Sequence, residues 1–169
     1  MDVMISAETV TQTWQRLSQT DPLDAPQLVE QMTEEQPLVV SFLLSLEDFP
    51  FDAHEREIIF YLGMVVWQMM KQSERRLNKV TRRKLRKAEE ANYDFMELLA
   101  SDTEADFVSA TMTMIEKYPE PEVLRYIVEA LMEEEEYEPD DEPIRDEYRG
   151  LAFLHLKIAL DAFVDSLAR

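Results

Sequence analysis

Cysteine is missing from this chain altogether, which excludes disulfides, thiolate zinc centres and cysteine nucleophiles. Glycine is nearly missing: Gly63 and Gly150 are the only two in 169 residues, and Asn78 and Asn92 are the only asparagines. Sheet proteins need tight turns with positive φ, which Gly and Asn supply. An all-β or βαβ fold would have no corners here. Phosphate loops and dinucleotide fingerprints need several glycines close together, because backbone amides must approach the phosphates; these two stand 87 residues apart. Long apolar runs are also lacking. The longest, residues 58–70, is interrupted by Gln68 and is too short for a bilayer. The first ten residues carry Asp2 and Glu8 and no cation, unlike a signal or transit peptide, so a cytoplasmic protein with no membrane association is expected.

What remains is helical. Hydrophobic residues make up 46% of the chain, ordinary for a globular protein, and residues 1–169 are enough for one domain with its own core. A first helix over about 7–18 puts Val3, Ala7, Val10, Trp14 and Leu17 on one face, since their spacings of four and three are helical. Asp24, Pro26 and Gln27 read as the start of a short helix burying Leu28, Val29 and Met32. Pro37 opens a third helix, and Phe49 with Pro50 ends it. Asp52 and Glu55 form a capping box ahead of the most hydrophobic helix.

That helix would run on into a stretch without glycine or proline. A break near Asn78 with a restart at an N-capping Thr81 is expected, because helices much beyond about 25 residues are unusual in compact domains. Leu85, Tyr93, Phe95, Met96 and Leu99 form the apolar side of the next helix. Ser101 with Glu104, or Thr103 with Asp106, caps a sixth, carrying Phe107, Val108, Met112, Met114 and Ile115. Pro119 and Pro121 precede a seventh, where Leu124, Ile127, Val128 and Leu131 repeat at i, i+3, i+4 and i+7. An acidic loop with Pro139 and Pro143 leads into a long, broadly apolar last helix over about 144–167. The fold class expected is all-α, about eight helices in a compact bundle or an irregular stack of helical hairpins, with an α-solenoid as the alternative.

Charge is segregated along the chain. The net charge is −19, yet residues 71–87 hold nine bases against Glu74, net +8; residues 1–70 are net −10 and residues 88–169 net −17. Lys71, Arg75, Arg76, Lys79, Arg82, Arg83 and Arg86 are therefore candidate partner- or anion-binding residues. Lys84 and Lys87 belong to the same stretch, and in a continuous helix Arg75, Lys79, Arg82 and Arg86 would share a face. The ordinary alternative is pairing with the chain's own acids. Residues 129–147 hold 11 acids, and Glu133, Glu134, Glu135 and Glu136 are consecutive. They are a candidate docking segment for a basic partner, although a solvated helix end is the more usual meaning of such a run. Four glutamates near a helix C-terminus oppose its dipole and one another, so a nearby cation supply such as residues 71–87 is expected.

Catalytic signatures fail one by one. His54-Glu55-Arg56-Glu57-Ile58 lacks the second histidine of a zinc-protease helix. Residues 51 and 152 are Phe and Ala, so neither His54 nor His155 completes the Glu-x-x-His of a di-iron bundle. His155 falls on an apolar face and reads as a satisfied core histidine. His54, Glu57, Tyr61 and Gln68 form a polar stripe, continued by Lys71 and Gln72. It is a candidate concave site whose plain alternative is the solvent face of a buried helix.

The leading expectation is a non-enzymatic helical interaction module, adaptor or chaperone-like, working through charge-segregated surfaces with a protein partner. The alternatives are an anion- or nucleic-acid-binding regulator acting through residues 71–87 and a small all-α enzyme with a carboxylate-bound metal. No cofactor and no catalytic residue is indicated. A charge of −19 repels polyphosphate at long range, and no aromatic lies among the cations to stack bases, which disfavours nucleic acid. Two helices apolar over more than one face suggest self-association as a homodimer.

Overall fold

The computed structural model describes residues 4–20, 25–101, 104–132 and 144–169; for residues 95–101, 104–108 and 132 it describes the backbone only. Among the described residues there are eight α-helices: α1 (Ala7–Ser18), α2 (Ala25–Glu35), α3 (Pro37–Leu44), α4 (Ala53–Met70), α5 (Arg82–Ser101), α6 (Glu104–Lys117), α7 (Pro121–Met132) and α8 (Asp146–Asp165). A short 3-10 turn, Leu46–Asp48, follows α3.

Helix starts follow the local chemistry. Ser6 caps α1 through its side chain, which accepts from the Thr9 N–H. Pro37 occupies the first turn of α3, where its missing N–H leaves nothing unpaired. At α4 the capping box is complete: the Asp52 carboxylate accepts from the Glu55 N–H (2.8 Å) and Glu55 accepts from the Asp52 N–H (2.9 Å). α4 ends at Met70 and α5 begins at Arg82, with the Thr81 hydroxyl accepting from the Lys84 N–H. The expected break is present, but it opens at Lys71 rather than near Asn78. Arg75, Lys79, Arg82 and Arg86 therefore do not form one helical face.

α8 is the hub, packed against α4, α5 and α7, while α1 lies on α4 and α7. Contacts between helices this distant in sequence make a bundle rather than a solenoid, whose repeats touch only their neighbours. The buried hydrophobics form one cluster, with Trp67, Phe153 and Phe163 completely enclosed. Each such side chain contributes roughly 1.5–3 kcal/mol. From Leu62 to Met70 every residue of α4 is buried. At Gly63 an added Cβ would sit 2.5 Å from Leu43 Cδ1, so this glycine lets α3 approach α4 closely. The all-round apolar surfaces of α4 and α8, which suggested self-association, are covered within the chain.

The i, i+3, i+4, i+7 pattern of α7 is buried throughout: Leu124, Ile127, Val128 and Leu131. On α1, Val10 and Leu17 are buried, but Ala7 and Trp14 are exposed and Thr13 is enclosed in their place. Thr13 is tolerated there because its hydroxyl donates to the Thr9 carbonyl at 2.7 Å, satisfying the polar atom before burial. Tyr93, Met112 and Leu44 are also exposed. Asp24, Thr103 and Val3 lie outside the described residues.

His155 is a core histidine. Its Nδ1–H donates to the Leu151 carbonyl (2.8 Å), and the ring packs among Phe42, Phe49 and Phe51 with centroids 5.8, 4.5 and 6.0 Å away. Burial pushes its pKa below the ordinary 6.5, against the opposing pull of that hydrogen bond. Among the described residues, no helix is long and apolar enough to cross a membrane.

Candidate functional site

Residues 71–81 join α4 to α5, and the loop is fastened from two sides. Gln36, enclosed between α2 and α3, donates its Nε2 to the Asn78 carbonyl (3.0 Å) and accepts from the Val80 N–H (2.8 Å). Opposite, Leu77 pairs with Leu167 in an antiparallel bridge. The Asn78 N–H donates to the Ser166 carbonyl (3.0 Å) and the Ala168 N–H to the Arg76 carbonyl (2.8 Å). Val80, Leu85 and Ala88 face inward. The cations between them are left pointing outward.

Of the seven cations singled out by sequence, Lys71 is ion-paired and Arg75 is half-buried. Lys71 pairs with Glu35 at 3.1 Å and lies 4.7 Å above the Trp67 ring. Arg75 is half-buried, and its charge is felt by Glu120. Burial raises the Glu120 carboxyl, while the Ile5 N–H bonded to it (2.9 Å) and Arg75 pull it back down. Arg76, Lys79, Arg82, Arg83 and Arg86 are exposed, as is Lys87. Among the described residues none of these six forms an ion pair; Arg76 makes a neutral hydrogen bond to Asn78 Oδ1 (3.1 Å). Lys84 is used structurally, its Nζ donating to the Asp165 carbonyl at the end of α8 (2.8 Å), where a cation suits the helix dipole.

The start of α5 opposes its own helix. Its first turn contains no acid and begins Arg82-Arg83-Lys84, placing positive charge on the positive end of the dipole. Each such charge costs about 0.3–1 kcal/mol at the surface. Arg82 with Arg86, and Arg83 with Lys87, are like-charge i, i+4 pairs, unfavourable by a few tenths of a kcal/mol each.

The polar stripe on α4 does not form one site. His54, Glu57 and Tyr61 are exposed, whereas Gln68 is buried, about 21 Å along the axis from His54 and about 10 Å from Tyr61 at 1.5 Å per residue. Burial raises the Tyr61 hydroxyl above its ordinary pKa. Gln68, Lys71 and Gln72 line a cleft of about 430 Å³ against the end of α1 and one side of α2. Glu133, Glu134, Glu135 and Glu136 lie outside the described residues.

Sequence reasoning missed two polar clusters. Glu55, besides its capping role, is 1% exposed and takes Arg145 from 90 residues away: Nη2 at 2.6 Å, Nε at 3.2 Å from both carboxylate oxygens, and the Arg145 N–H at 2.9 Å. Burial alone would raise the carboxyl, but these bonds and the Asp52 N–H outweigh it and hold it at about 2. Arg145 also donates to the Pro50 carbonyl (2.9 Å) and stacks on Tyr148, so the pair clamps the start of α4 to the start of α8. In the second cluster, Asp161 accepts from the Tyr118 hydroxyl, from Asn92 (2.9 Å) and from Lys157 (2.8 Å), and Lys157 also donates to Asn92 (2.9 Å). Each polar group there has a partner, as a structural network requires. An acid-rich sequence gives no local sign of which carboxylate folds inward.

Among the described residues, no group of three or more His, Asp or Glu side chains is placed to hold a metal ion, so the carboxylate-metal alternative has no centre there. No protein-family model matches the chain, and no match to it was found among curated proteins or solved structures.

Proposed function

We propose that this protein is a helical interaction module, adaptor or chaperone-like, that docks an acidic segment of a partner protein on the cationic surface formed by Arg76, Lys79, Arg82, Arg83, Arg86 and Lys87. One observation carries the reading: these six cations are exposed and without an ion pair among the described residues, in a chain of net charge −19. Their placement at the start of α5 works against the stability of that helix, so a role beyond folding accounts for a cluster that folding does not favour. The fastened loop supports it further, because recognition groups on a fixed backbone lose less freedom on binding.

The partner is expected to present a local acidic stretch within a less negative surface. Beyond about 8 Å in physiological salt the chain's overall charge is screened, and the local patch then dominates contact. A long polyphosphate reaches past the patch and sets its remaining phosphates against the acidic parts of the chain at close range.

The test is fluorescence anisotropy with a labelled glutamate-rich peptide at low and moderate salt, using the intact protein and the triple variant Arg82→Glu, Arg83→Glu, Arg86→Glu. Salt-sensitive binding that the triple variant loses is the expected result. Tighter binding of a DNA duplex of equal charge would overturn the protein-partner reading in favour of the nucleic-acid alternative. Absence of binding to peptide, duplex and heparin alike at low salt would remove both. Light scattering at the same two salt concentrations reports whether the acidic partner is a second copy of the chain.

A further inference from the structure

The cleft where α1, α2 and α4 converge is separate from the cationic surface and has its own chemistry. Its volume, about 430 Å³, falls within the range of small-molecule sites. Gln68 is its central feature. This side chain is 8% exposed and lines the cleft, yet its amide makes no hydrogen bond among the described residues, although the neighbouring Gln72 amide bonds the Gln68 backbone carbonyl (3.3 Å). Among the described residues, the only fully enclosed side-chain polar atom without a partner is Trp67 Nε1. The Gln68 amide is therefore not sealed in the core, and its residual exposure opens onto the cleft.

An amide open only to a cleft is free to bond what enters it, and most polar groups around it are already committed. Gln31 donates to Glu35 (2.8 Å), and Lys71 is neutralised by the same carboxylate. Arg16 differs. It lines the cleft, is exposed, and has no ion pair among the described residues. A guanidinium selects planar carboxylates by paired hydrogen bonds. Leu17 and Leu28 supply the apolar part of the same lining.

We infer that this cleft binds a small organic carboxylate carrying an amide: the carboxylate on Arg16, the amide on Gln68 and a short apolar group along Leu17 and Leu28. A free N-acyl amino acid and the C-terminal residue of a peptide share that chemistry.

The probe is N-acetyl-leucine, titrated into the intact protein at millimolar concentrations and followed by NMR through the side-chain amide signals of the glutamines and the backbone of α1 and α4. Saturable shifts at Gln68 are expected, with binding weakened at least about tenfold when the probe's carboxylate is replaced by an amide. Gln68→Met keeps the shape and removes the amide; it should weaken binding by a similar factor while leaving the melting temperature equal or higher, since an unpaired polar group has been removed. Arg16→Gln should abolish the preference for acid over amide. A hexapeptide ending in leucine that binds as well as the free acid identifies a peptide C-terminus as the ligand; binding of the free acid alone identifies a metabolite. The absence of saturable shifts, or unchanged binding in Gln68→Met, overturns the assignment. The triple variant at Arg82, Arg83 and Arg86 should bind the probe normally, so failure of the docking surface and failure of this site are distinguishable.

Discussion

Helices α4 and α5 begin in opposite ways. α4 starts with Asp52 and Glu55, acids placed on the positive end of the dipole, joined in a capping box and locked by Arg145 into the rest of the fold. α5 starts with three consecutive cations on the same kind of helix end, and two of them, Arg82 and Arg83, are exposed without an ion pair among the described residues. The first start is complete within the chain. The second is held in spite of its charges, by the Thr81 cap, by Leu85 and Ala88 packing inward and by Lys84 bonded to the end of α8. A helix end that satisfies every local rule is explained by folding; one that breaks the dipole rule while remaining exposed directs attention to another molecule.

The contrast is tested most severely at Glu55. Glu55→Ala should lower stability by about 2–4 kcal/mol in urea unfolding, because it leaves the Asp52 N–H and the Arg145 N–H without their acceptor and removes the anchor of the clamp. A loss below about 1 kcal/mol would mean the clamp is not a structural element.

Acid titration gives the next largest effect. The Glu55 carboxyl is lowered from the ordinary 4.5 to about 2, so the unfolded chain binds its proton first. The stability it contributes is present above about pH 4.5 and is lost as pH falls from there through about 2. His155, lowered from 6.5 by burial, acts in a higher window: the unfolded chain takes up its proton as pH falls below 6.5 and the folded state is disfavoured there. Thermal unfolding from pH 8 to pH 2 should therefore decline in two arms. Glu55→Gln should flatten the lower arm and His155→Phe the upper; a profile unaltered by either variant would contradict both assignments.

Gln36→Leu addresses the loop behind the cationic surface. It should cost about 1–3 kcal/mol by leaving the Asn78 carbonyl and Val80 N–H unpaired, and hydrogen exchange should quicken over residues 76–80. Unchanged exchange there would show that Gln36 does not fix the loop. The smallest effect carries an unusual sign. Arg82→Glu and Arg83→Glu should each raise stability by about 0.3–1 kcal/mol at low salt, while acidic-peptide binding is lost. Stabilisation without loss of binding would separate the helix start from docking.

What the sequence made legible was local. The Asp52–Glu55 capping box, the restart at Thr81 and the heptad-like face of α7 depend on residues within two turns of one another, and each is found as expected. What it hid was distant or contrary to polarity. Arg145 meets Glu55 across 90 residues, Gln36 looks like an ordinary surface glutamine until it clamps a loop 42 residues away, and Asp161 is one acid among 36. Its apolar ring and its spacing place Trp14 on the inward face, yet Thr13 takes that place once its hydroxyl is bonded within the helix. The α4 stripe had the right period, but period alone does not distinguish an outward end from the end covered by α1 and α2.

The bridge between Leu77 and Leu167 gives the cationic loop a mechanical anchor. Because residues 166–168 leave directly from α8, strain imposed on the loop by a bound partner passes through two backbone hydrogen bonds to the helix that most of the bundle leans on. Occupancy of the cationic surface would therefore be felt first where α8 ends, at residues 166–168.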